Sequence, residues 1–94
     1  MKRLLSCTSS EMLKMDGQEL KQAILASEGR TVMTETVVAI EPLLGDLTNA
    51  ELAVSFGSDM VLLNCFDCNH PEIKGLPACD NPVDKLKEIV GRPI

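Results

Sequence analysis

Two stretches of this chain repeat one order of polarity. Each begins with an apolar run, passes through a break bearing proline and glycine, and ends in apolar positions at helical spacing. The first run, Thr31 to Ala39, is dense in β-branched residues and predicts a strand. Pro42 and Gly45-Asp46 break it. Thr48 or Asn49 then caps a helix with Leu52, Ala53 and Phe56 inward and Gly57 as its stop. The second run, Met60 to Phe66, is apolar on both faces until Asn64. Such runs belong to parallel strands covered on both sides. A long loop over 67–81 follows, holding Pro71, Gly75 and Pro77. Asn81-Pro82 is an N-cap with proline at the first helical position. Val83, Leu86, Ile89 and Val90 form the apolar face of that helix, and Gly91 ends it.

Ahead of these units lies a helical segment. Ser9 and Ser10 are N-cap choices for a short turn ending near Met15. Asp16 and Glu19 have capping-box spacing, Leu20, Ala23 and Ile24 follow as an apolar stripe, and Glu28-Gly29 supplies the stop. The expected organisation is a single partial α/β domain over 1–94. It comprises an N-terminal helical segment (1–29) and two βα units (30–94), with Arg92-Pro93-Ile94 beginning a third strand. Short βα connections in series imply a parallel sheet. The turn after the first run, Ile40 to Asp46, lacks the G-x-G-x-x-G of a dinucleotide-binding sheet. A barrel or another open sheet remains.

The phrase Asn49-Ala50-Glu51-Leu52-Ala53, followed by Phe56-Gly57-Ser58-Asp59-Met60-Val61-Leu62-Leu63-Asn64, is similar to a recurring βα phrase of (β/α)8 barrels. In that phrase a helix ends in Gly, an Asp enters the next strand, and a polar residue closes it. From Lys2 to Ile94 the chain resembles the N-terminal third of an uncharacterised bacterial (β/α)8 (TIM) barrel family. Some of its members are labelled haloacid-dehalogenase-like hydrolase. The resemblance implies a truncated barrel of two βα units and the start of a third strand. The Asp-x-Asp-x-Thr/Val nucleophile signature of the dehalogenase superfamily does not occur in the chain.

Charge narrows the function classes. The 94 residues carry a net charge of −5, and there is no Trp or Tyr and only two Phe. An acidic chain without aromatic platforms is poorly suited to nucleic acid. It is equally unsuited to polybasic attachment at a membrane. The start Met1-Lys2-Arg3-Leu4-Leu5 imitates a signal peptide, but Ser6, Thr8, Ser9, Ser10 and Glu11 follow at once and leave no apolar core. The expectation is a cytoplasmic protein whose four cysteines, Cys7, Cys65, Cys68 and Cys79, are reduced.

In a barrel, chemistry collects at the C-terminal ends of strands and on the loops after them. Glu35 is the one charge within the first strand, and a carboxylate in a buried strand is expected to be held by a partner. It serves either as a general acid/base or metal ligand in the barrel mouth, or in a structural pair with Arg30 or a later strand. Asn64 closes the second strand and Asp67 opens the loop; their alternative role is capping local backbone. His70, the only histidine, is a substrate-binding candidate in a loop of the kind that forms lids. Cys65, Cys68, His70 and Cys79 offer four zinc ligands, although their spacing is one pair followed by two singles. Within a strand, Cys65 packs instead as a small hydrophobe. A redox C-x-x-C would want a helix N-terminus rather than a strand exit.

Two functions stay open. One is an enzyme of hydrolase or lyase type, acting on a small metabolite, with an anionic one among the choices. Glu35, Asn64 and Asp67 would then form part of its site, with no cofactor assigned, and the 94 residues alone would be inactive. The other is a small α/β protein that self-associates through open sheet edges or binds a partner. A zinc module is a minor third.

Overall fold

The computed structural model describes residues 2–94; Met1, where the signal-like start opens, lies outside them. The chain is mixed α/β. A 3-10 turn at Leu4–Ser6 leads into α1 (Ser9–Leu13) and α2 (Gly17–Ala26). Then come β1 (Met33–Val37), α3 (Asn49–Ser55), β2 (Met60–Asn64) and α4 (Pro82–Val90). The strands pair in parallel, Met33 opposite Met60 through Val37 opposite Asn64.

Local sequence explains the helix starts. Thr8, Asp16 and Thr48 each accept a hydrogen bond from the backbone N–H three residues on. In each case the glutamate at that position reaches back to the cap's own N–H. Thr8 therefore caps α1, in place of Ser9 or Ser10, because only Thr8 has a glutamate, Glu11, at the reciprocal spacing. Asn81 caps α4 ahead of Pro82, and Gly91 ends that helix in the left-handed conformation, φ 66°.

Both strands are shorter than the apolar runs that announce them. β1 lacks the ends of Thr31–Ala39, and β2 stops at Asn64 because Cys65 turns to φ 65°. Arg92-Pro93-Ile94 has no strand assignment. Its backbone nevertheless lies beside β2, where the Val61 N–H donates to the Pro93 carbonyl at 3.1 Å.

The two faces of the sheet have different fates. Val38, Val61 and Leu63 turn toward α3 and α4. There they join Ala50, Val54, Leu86 and Val90 in the main core, with Ile73 of the long loop 4% exposed among them. In-register residues of a parallel pair share a face, so Met33, Glu35, Leu62 and Asn64 lie on the other side. That side is open: Met33 is 55% and Leu62 44% exposed. The expectation of cover on both faces is thus corrected. The helices of two βα units pack on one side, and nothing in these residues packs on the middle of the other. A second cluster, Leu4, Met12 and Ala23, meets Met60 at the N-terminal end of β2. Phe56, expected inward, is 86% exposed. Ala50 and Val54 take the inner face of α3 instead, which moves the buried stripe off Phe56.

Candidate functional site

The C-terminal ends of β1 and β2 bring the chain's polar groups together. Glu35 sits mid-strand and Asn64 at the last position of β2, one pleat further along the same face. The Asn64 Nδ2 donates to Glu35 Oε2 at 3.3 Å. Glu35 does find a partner, but the partner is a neutral amide and not Arg30. Arg30 instead turns its Nε to the Ser27 carbonyl, 2.8 Å away. The expectation of a buried carboxylate is corrected too. Glu35 is exposed, because the face it stands on is the uncovered one.

Past the strand ends, the backbone of the loop is tied down. The Lys74 N–H donates to the Val38 carbonyl at 3.0 Å, extending the end of β1 by one rung. Ile73 fills the core beside it. Gly75 packs so tightly that a Cβ there would stand 2.6 Å from the Pro42 ring, at φ 92°. This part of the loop is a fixed wall rather than a lid.

Between the strand ends and that wall lies a cavity of about 170 Å3, lined by Val38, Ala39, Cys65, Asp67, His70, Glu72 and Lys74. Its groups are ordered by short-range contacts. The Asn69 N–H donates to Asp67 Oδ1 at 2.9 Å, and the His70 N–H donates to the Asp67 carbonyl at 3.2 Å. The second carboxylate oxygen of Asp67 faces His70 Nδ1 at 3.5 Å. Asp67 therefore caps its own turn and brings its other carboxylate oxygen near an exposed imidazole. The Lys74 Nζ lies 3.6 Å from Glu72 and 3.9 Å from Glu41. Carboxylates outnumber the lysine here, so this wall is acidic.

The four candidate residues thus form two pairs, Glu35 with Asn64 and Asp67 with His70. Only the second pair lines the cavity. Cys65 is a residue that sequence reasoning underrated. It was expected to pack in a strand, yet it is exposed, carries a free thiol and borders the cavity. The missed signal is local: Asn64 and Asp67 on either side of Cys65-Phe66 mark a strand exit, where the side-chain alternation no longer holds. Lys74 and Glu72 went unremarked because only the loop's return to Val38 brings them here.

The zinc set does not assemble. Cys65 lines this cavity, and Cys79 lines a different one beside Pro71, Leu76 and Pro82. Among the described residues, no group of three or more His, Cys, Asp or Glu is arranged to hold a metal ion. No helix among them is long and apolar enough to cross a membrane.

Fold and site define a parallel α/β unit with acidic and thiol groups gathered at the C-terminal ends of its strands. Residues 5–94 match the family described as Domain of unknown function (DUF7916). The chain belongs to that family. No curated protein matches the chain. No solved structure matches it either.

Proposed function

We propose that these residues are the first two βα units of a (β/α)8 barrel enzyme, and that Glu35, Asn64, Asp67 and His70 form one wall of its active-site mouth. The observation that carries this reading is the asymmetry of the sheet. Helices pack on one face of a parallel pair, while the opposite face is bare, apolar at Met33 and Leu62 and polar at Glu35 and Asn64. In a barrel the bare face points inward, its lower layers are filled by neighbouring strands, and its C-terminal rim carries the chemistry. The Val61–Pro93 bond supports the same reading, since it sets a third segment beside β2 on the edge away from β1.

The substrate of such an enzyme is a small metabolite, and hydrolysis or elimination are the reaction types suited to paired carboxylate, amide and imidazole groups. The excess of carboxylates on this wall favours a neutral or cationic part of the ligand facing it. Any anionic group would be held by other walls. Glu35 is the acid/base of this set, and Asn64 holds the carboxylate in place.

The test is the reading frame beyond Ile94. The expected product runs to about 250 residues. In it, Leu62→Asp costs roughly 3 kcal/mol or more, because the new carboxylate is buried without a partner. A native gene product near 10.2 kDa with no continuation of the frame would overturn the barrel. It would favour instead the self-associating α/β protein, whose bare face is the same Met33 and Leu62 surface.

A further inference from the structure

We infer that the free edge of β1 receives one further strand, that this strand sets a lysine or arginine beside Glu35, and that it comes from a later part of the same protein.

The backbone shows which edge is free. Along a strand, successive residues turn their N–H and C=O groups to opposite sides. The Val32 carbonyl accepts from the Met60 N–H at 3.2 Å, and the Val38 N–H donates to the Asn64 carbonyl at 3.1 Å. The even-numbered residues of β1 therefore bond to β2, while Met33, Glu35 and Val37 turn their backbone groups the other way. Among the described residues no strand lies on that side, since the sheet holds β1 and β2 alone. The outer edge of β2 differs, because the Val61 N–H already donates to the Pro93 carbonyl. Three outward donors and three outward acceptors in a row on β1 are a template for one more strand.

Glu35 selects what that strand carries. It is exposed at the middle of the edge, and its side chain meets only the neutral Asn64 amide, on the β2 side, at 3.3 Å. Two cations of this chain that flank the strand are engaged elsewhere. Arg30 turns its Nε to the Ser27 carbonyl, and the Lys74 ammonium lies between Glu72 and Glu41. A second copy is a poor occupant. The twofold pairing that keeps the helices of both copies on one face is antiparallel. Only one register of it uses all three outward residues, Met33 against Val37 and Glu35 against its own copy. Like charges directly opposite are destabilising. An added strand lies about 4.8 Å away, so a lysine or arginine in register with Glu35 reaches its carboxylate. Closing a barrel over the bare face makes that cation necessary, since a covered carboxylate without one is costly. The cation also favours the ionised form of Glu35, the form that acts as a base.

The source of the strand rests on the barrel reading, whereas its chemistry is read on the 94-residue chain itself. The isotope-labelled chain, at a concentration where it is monomeric, is titrated with short capped valine–threonine peptides that differ only in a central lysine, glutamine or glutamate. Its amides are followed by NMR. The lysine peptide is expected to shift the amides of Met33, Glu35 and Val37 ahead of those of Thr34 and Thr36. It should bind about 5-fold more tightly than the glutamate peptide, the difference between an opposite and a like charge across a strand pair. Added salt should narrow that preference. Glu35→Gln should erase it and leave pairing with the glutamine peptide in place. The replaced side chain is exposed, and circular dichroism confirms the fold of the variant. No shift along β1 with any of the peptides would overturn the docking edge. Equal binding of the lysine and glutamate peptides, or a preference that survives Glu35→Gln, would overturn the part given to Glu35. A reading frame that continues to about 250 residues but carries neither lysine nor arginine in its final strand would leave the barrel standing and remove the strand's source.

Discussion

At the scale of single residues, two polar side chains fasten the N-terminal segment. Ser27 is fully buried; its hydroxyl accepts from the Leu4 N–H at 3.1 Å and donates to the Ala23 carbonyl at 3.0 Å. It thereby fastens the opening 3-10 turn to α2. Ser27→Ala leaves the Leu4 N–H without a partner inside the protein and should cost about 1–3 kcal/mol in urea unfolding. Glu11 has the opposite character, exposed but multiply bonded. The Thr8 N–H, and after it Lys2, hold its carboxylate below its ordinary value of 4.5. A lowered pKa means that the contribution to stability is present above the unfolded value and is lost as pH falls through the folded one. The stability difference between wild type and Glu11→Gln should therefore shrink on acidification below 4.5, and added salt should reduce it throughout. An NMR titration of Glu11 with its midpoint at or above the ordinary value would contradict this.

Among the elements, local rules describe the helices better than the strands. The capping box at Asp16, and the Asn81-Pro82 start with its Gly91 stop, are legible because each is a contact within three or four residues; between Thr48 and Asn49 the structure chooses Thr48. Phe56 shows the limit of such rules. Its spacing from Leu52 fits an inner face, but the docking angle of α3 is set by Ala50 and Val54 against β1 and β2, and Phe56 is turned out. The loop between β2 and α4 is an element of the same weight. Pinned by Ile73 and by the Lys74–Val38 bond, it holds one side of the cavity. Gly75→Ala tests that pinning. The added Cβ meets the Pro42 ring at a φ that side chains resist, so stability should fall by roughly 1–3 kcal/mol. Hydrogen exchange at the Lys74 amide should rise by more than that at the β1 amides. Uniform change at both places would show the loop and sheet to be one unit.

For the whole molecule, the decisive property is the imbalance between the two faces of the sheet. A two-stranded parallel pair with helices on one side has not buried what its sequence supplies. Met33 and Leu62 stay in water. Exposed apolar area of this kind favours association, so the 94-residue chain alone should sediment heavier than its 10.2 kDa at high concentration. Leu62→Asp should return it toward the monomer without loss of helix content. Monomeric sedimentation of the unmodified chain at all concentrations would show that this face is content in solvent.

The sequence by itself determined the order βαβα, the starts of α2 and α4 and the parallel pairing, because these follow from alternation, caps and glycine stops that act over a few residues. It also named Glu35, Asn64, Asp67 and His70, since charged and amide groups in or just past an apolar strand stand out. Tertiary structure alone decided how they combine. Register brings Glu35 to Asn64, a turn brings Asp67 to His70, and the return of the loop to Val38 adds Lys74 and Glu72. It also decided which face is bare, and with it that Glu35 is exposed and that Cys65 leaves the sheet. The physical reason is that β periodicity says only that two faces differ. Which one is covered depends on where helices thirty residues apart come to pack.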